Sequence, residues 1–136
     1  DDVRALRFQI LIVTDLSTGV KTKGLYLDNQ NQSVWEAKNA YSRFAYLDET
    51  ELDELIVFLE NCDKTWKNEK PANHTEFVYL TNDNLKIVFW TQASNNWQYS
   101  IEFTNYIFDN KIEMTKKRSD DLVEALRKIK TQMAIL

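Results

Sequence analysis

One histidine, one cysteine and two glycines are all that this chain of 136 residues holds of three residue types on which catalysis and cofactor binding commonly rest. His74, between Asn73 and Thr75, stands alone, so a centre of several histidines on a metal is impossible. A Ser-His-Asp relay would need it to meet a nucleophile from elsewhere in the fold, and its polar, charged surroundings read as a solvated linker. Cys62 can form neither an intramolecular disulfide nor a Cys-rich metal site. It falls seven residues after Leu55 on an apolar stripe, the setting of an inert, buried thiol. Gly19 and Gly24 do not make a phosphate-cradling loop, which needs several glycines at fixed spacing.

Carboxylates are abundant, in the runs Asp48, Glu49, Glu51, Asp53, Glu54 and Asp120, Asp121, Glu124. A carboxylate-based hydrolase needs two of them converging in a cleft within about 5–9.5 Å. Both runs instead stand where helices begin, and acidic side chains there meet the helix dipole favourably. The alternation of Asp and Asn around a central Gly that marks a calcium loop is absent. The sequence therefore assigns no catalytic residue, no metal ligand and no cofactor.

Four aromatic residues carry the candidate ligand contacts: Trp35, Trp90, Trp97 and Tyr106. Trp90 shares a strand face with Lys86 and Gln92, opposite Leu85, Ile87 and Phe89, and Trp35 and Trp66 have no evident buried partner in the pattern. An exposed indole can stack on a sugar ring or a base, whereas a sheet covered on both faces would bury the same residues as core. The alternative surface is basic: Lys111, Lys116, Lys117 and Arg118 could hold phosphate or single-stranded nucleic acid. A net charge of -4 and a pI near 5.0 argue against a dedicated nucleic-acid binder.

The elements that must position these residues come in two similar sets. Residues 4–14, 20–27 and 33–46 read as strands, the last as one long strand, as two short ones, or as partly helical. Asp48, with Glu51 three residues on, opens a helix whose stripe is Leu52, Leu55, Ile56, Leu59 and Cys62, although Thr50 could cap it instead. Residues 63–74, with the one proline, read as a linker. Strands then follow at 76–81, 85–91, 97–104 and 111–114, with the clearest period-two alternation at Trp97, Tyr99, Ile101 and Phe103. A second helix is expected from about Ser119, burying Leu122, Ala125, Leu126, Ile129 and Met133. A shift of 67 positions aligns Leu55 with Leu122, Leu59 with Leu126 and Asp53 with Asp120, too few identities to establish a duplication.

The run AYLDETELDELIVFLENCDKTW, followed by TEFVYLTNDNLKIVFW and a strand bearing Trp97 and Tyr99, resembles small uncharacterised proteins exported by gut Bacteroidetes. That resemblance implies an α+β fold and an exported protein, and brings no activity or site residues with it; Asp83-Asn84 replaces a glycine common in that hairpin. The element order is also similar to the Whirly-type single-strand nucleic-acid-binding fold, with VKTKGLYL a faint counterpart of its basic loop.

The expectation is an α+β domain spanning 1–136, built as a ββββα-ββββα pseudo-repeat with halves 1–68 and 69–136. Its expected function is a small non-enzymatic binding or interaction module with an aromatic contact surface and a protein or carbohydrate partner. A single-strand nucleic-acid binder and a carboxylate hydrolase are the alternatives. No apolar run is long enough to span a bilayer. Asp1 in place of Met points to a processed or trimmed product, compatible with a periplasmic or extracellular protein, a lipoprotein included, with a cytoplasmic one left open.

Overall fold

The structure, a computed structural model, describes residues 6–29, 43–69, 73–91, 97–105 and 111–136. Over these residues the chain forms two antiparallel sheets and two helices. The first sheet has the order β1 (Leu6–Thr14), β2 (Lys21–Asn29), β3 (Arg43–Asp48), and the helix α1 (Glu49–Asn68) follows it. The second has the order β4 (Thr75–Leu80), β5 (Leu85–Thr91), β6 (Trp97–Phe103), β7 (Lys111–Met114), followed by α2 (Lys116–Ala134).

The β1–β2 turn forms because the Asp15 carboxylate accepts hydrogen bonds from the Ser17 amide and hydroxyl, at 2.8 and 2.6 Å, and Gly19 adopts a φ of 72°. The Asp15 carboxyl is held below its ordinary range by those same bonds from Ser17. In the β4–β5 turn Asn84 takes the left-handed conformation, φ 62°, which asparagine tolerates. Asp83 of this turn accepts the Tyr46 amide at 2.7 Å and so ties the second sheet to β3.

Asp48 caps α1: its carboxylate accepts the Glu51 amide at 2.7 Å and Glu51 returns a contact to the Asp48 amide, completing a capping box. An acidic residue in the first turn of a helix ordinarily faces water, as Glu51 does not. It is buried instead, because its second carboxylate oxygen accepts the Asn82 amide at 2.8 Å. The helix also continues to Asn68, through residues expected to be linker. Trp66 on this last stretch packs against Phe89, ring centroids 6.3 Å apart, and that burial carries the helix on. Thr115 caps α2, which begins at Lys116, three residues before the expected start. Lys116, Lys117 and Arg118 thus occupy the first turn, where the dipole disfavours cations. Asp120 and Asp121, four residues on from Lys116 and Lys117, offset that cost.

One core cluster runs through both sheets and both helices, from Leu6 to Met133. Ion pairs Asp53–Lys130, Glu60–Arg127 and Asp63–Lys116 run in opposite order along the two helices, so α1 and α2 pack antiparallel.

The strand registers give the two halves a shared plan. Ile10, Leu25 and Leu47 form one row across β1, β2 and β3; Phe89, Tyr99 and Met114 form one across β5, β6 and β7. All six side chains face the core, and Leu47 and Met114 each directly precede a helix cap, Asp48 and Thr115. The two halves thus share an order of three antiparallel strands and a helix, β1-β2-β3-α1 and β5-β6-β7-α2, but β4 lies on the far side of β5 and the described strands make no clear ββββα-ββββα repeat. The expected four strands before the first helix are three among the described residues. Of segment 33–46 only Arg43–Asp48 is a described strand, and 30–42 lies outside the described residues. The spacing of 67 fits Leu47 and Met114, but the intervening connections differ in length, so it fails for the earlier strands.

Candidate functional site

The pleat of the second sheet separates its side chains into two sets. Inward go Phe77, Tyr79, Ile87, Phe89, Trp97, Tyr99, Ile101 and their neighbours. Outward, the registers lay down three rows: Glu76–Trp90–Gln98, Val78–Val88–Ser100–Glu113 and Leu80–Lys86–Glu102–Lys111. The third row alternates Lys86, Glu102 and Lys111, opposite charges side by side across the strands, a mutually stabilising order.

These rows line a shallow groove of about 450 Å³. Trp90, half-buried, stands at one side, with the Lys111 ammonium 5.3 Å from its ring centroid, within cation–π range. Lys111 also lies 3.9 Å from Glu113. At the rim His74 Nε2 lies 2.9 Å from a Glu76 carboxylate oxygen. The floor is Ser100, which is only 1% exposed and whose hydroxyl makes no hydrogen bond. A buried hydroxyl left unpaired costs about 1–3 kcal/mol, so this position stands out from the solvated groups around it.

Of the aromatic residues singled out in the sequence, the described residues include Trp90 and Trp97. Trp90 faces out of the core, as its partners in the strand require. Trp97 does not: the register sets it opposite Thr91 on the inward side, where it is buried. Its ring stacks on Phe89 at 4.3 Å and its indole N–H donates to the Glu69 carbonyl at 3.2 Å. Trp97 therefore belongs to the core, and a ligand on Trp90 does not reach it. Trp35 and Tyr106 lie outside the described residues.

The basic residues Lys111, Lys116, Lys117 and Arg118 do not form an open patch. Lys116 sits between Asp63 and Asp120, and Lys117 pairs with Asp121 at 3.3 Å. Burial works to lower the Lys116 pKa, but the hydrogen bonds to Asp120 and Asp63 outweigh it and raise it; Asp63 is held low mainly by Lys116. Arg118 lies in the first turn, its amide donating to the Thr115 cap.

The carboxylate runs serve the fold. Asp48 and Glu51 cap α1, Glu54 accepts the Tyr79 hydroxyl at 2.9 Å, and Asp53 and Glu60 pair with Lys130 and Arg127 of α2. A second cleft, of about 500 Å³ between the helices, is crossed by the Glu60–Arg127 pair. Cys62 is buried, and burial pushes its thiol up to about 12. Among the described residues no three of His, Cys, Asp and Glu converge to hold a metal ion, and no helix is long and apolar enough to cross a membrane.

Sequence reasoning missed Ser100. Its strand alternates so strongly that every even position reads as solvent-facing, and nothing local distinguishes a serine roofed by its neighbours from a solvated one. The signal lies in the cross-strand pairing of Ser100 with Val88 and Glu113, which becomes visible only once the register is fixed. Searches of protein-family models, curated proteins and solved structures found no match for this chain.

Proposed function

We propose that this chain is a non-enzymatic binding module whose contact surface is the outward face of the four-stranded sheet. Its ligand is a small polar molecule with one flat apolar face, of which a sugar ring is the type. The observation that supports this most is the unpaired, buried Ser100 hydroxyl at the floor of a polar groove that Trp90 borders. A sugar hydroxyl both donates and accepts, so it can satisfy Ser100 and then Gln98 or a groove carboxylate, while a C–H face of the ring lies against the indole. Lys111 would swing off the Trp90 ring to admit it, at a cost of about 0.5–1 kcal/mol for an exposed cation–π contact.

The same reading takes the protein as exported, in line with its resemblance to exported Bacteroidetes proteins. The nucleic-acid alternative is weakened by the acidic partners of Lys116 and Lys117. The hydrolase alternative would rest on Glu102 and Glu113, diagonal neighbours on an open sheet face with Lys111 beside Glu113. A shallow open face gives no cleft in which two carboxylates could flank a reacting bond, and this favours binding over hydrolysis.

The test is a panel of saccharides titrated against the protein by isothermal calorimetry, which reads binding in the wild type and in every variant. Binding that is lost in Trp90→Ala and weakened about tenfold in Ser100→Ala, a typical effect of one hydrogen bond, supports the proposal. Ser100→Ala should not lower stability, because the hydroxyl it removes has no partner. No saccharide binding, or binding indifferent to both substitutions, overturns it. So does salt-sensitive oligonucleotide binding that is lost in Lys116→Ala/Lys117→Ala.

A further inference from the structure

Among the described residues the two sheets differ at one strand edge. In the second half β5 is paired on both sides, by β6 and by β4. Its counterpart β1 is paired by β2 alone, and among the described residues no strand lies along its other edge. That edge is nine residues long, roughly 30 Å at 3.4 Å per residue. Natural edge strands are normally guarded by proline, by lysine, by a bulge or by shortness. β7, at one end of the second sheet, follows the rule with four residues that include Lys111 and Glu113. The sequence of β1, LRFQILIVT, follows none of it. Its one charge, Arg7, is held by Asp28 at 2.7 Å, while Ile12 and Val13 stand 45% and 57% exposed.

We infer that this edge pairs with β1 of a second copy of the chain, antiparallel about a two-fold axis at Ile10. The strand is self-complementary in that register. Phe8 meets the partner's Ile12 and Ile10 meets the partner's Ile10 on the inward side; Gln9 meets the partner's Leu11 and Arg7 the partner's Val13 on the outward side. No like charges are opposed, and apolar side chains match on the side where Phe8 and Ile10 already pack on the core. A ladder of nine residues supplies about ten backbone hydrogen bonds, the complement of a standard protein interface. The product is one continuous six-stranded sheet. This inference stands apart from the groove on the second sheet, and neither depends on the other.

Val13 is the position that tests it, because it is exposed and is set opposite the partner's Arg7. Sedimentation across a concentration series should show a monomer–dimer equilibrium for the full chain. Val13→Lys places two lysines against two arginines and should weaken dimerisation about tenfold or more, whereas Val13→Glu, opposite the same arginines, should keep the dimer. Thermal unfolding of both variants at low concentration confirms that the fold is intact. A chain that is monomeric throughout overturns the inference, as does a dimer affected equally by both substitutions or by neither.

Discussion

A Cβ at position 24 would overlap the Tyr46 hydroxyl and the edge of its ring. Gly24 is therefore the gap that lets this ring lie diagonally across the β2–β3 pair, shielding a bare stretch of backbone. Gly24→Ala should cost about 1–3 kcal/mol in chemical denaturation, the usual price of overpacking, and the loss should shrink in a Tyr46→Ala background where the ring is gone. An undiminished loss would show that the ring is not what Gly24 accommodates. Cys62 gives a prediction in pH. Burial raises its thiol from 9.0 in the unfolded chain to about 12 in the folded one, so the folded state keeps a proton that the unfolded state gives up. The associated stability is whole below pH 9.0 and drains as pH climbs from there toward about 12. The slope approaches 1.4 kcal/mol per pH unit for one group. Cys62→Ala should flatten this alkaline slope; an unchanged slope would assign it to other groups, with Tyr99, raised by its own burial, the first candidate.

Capping and pleat account for most of what the sequence disclosed about elements. Asp48 and Glu51 were legible because the capping box is written within four consecutive positions, and β6 because its alternation is unbroken. The end of α1 was not legible: Asp63, Lys64 and Lys67 have the composition of a linker, and only the contact of Trp66 with Phe89, twenty-three positions away, explains why the helix continues. The same limit applies to Trp97, whose strand period indicates a face but not which face is covered. Glu51 does double duty, serving the cap of α1 and the turn between β4 and β5. Asp48→Ala removes a cap alone and should cost about 1 kcal/mol in thermal or urea unfolding. Glu51→Ala strands the Asn82 amide as well and should cost more, roughly 2–3 kcal/mol. Equal losses would mean that the tether to the turn contributes nothing.

At the scale of the whole molecule, the two equivalent units are not two independent ones. Leu25, Leu47, Leu55 and Leu59 of the first half share one buried cluster with Phe89, Ile101, Leu122 and Leu126 of the second. Polar ties cross between the halves as well, among them Tyr46 to Asp83, Asn82 to Glu51, the Tyr79 hydroxyl to Glu54 and the Glu51 carbonyl, and the ion pairs between α1 and α2. A half-length chain would lose the part of this cluster that the other half supplies, and with it the burial that offsets the conformational entropy of folding. The chain should therefore unfold in one transition, with circular dichroism at 222 nm and tryptophan emission giving coincident curves. Fragments 1–69 and 70–136, made separately, should each lack dispersed amide resonances. Mixed in equal amounts, they should recover part of the native spectrum, since the buried cluster and these ties re-form only between them. A half that folds alone would mean that each sheet and its own helix already make a sufficient core, and the contacts between halves would then be an interface between two domains.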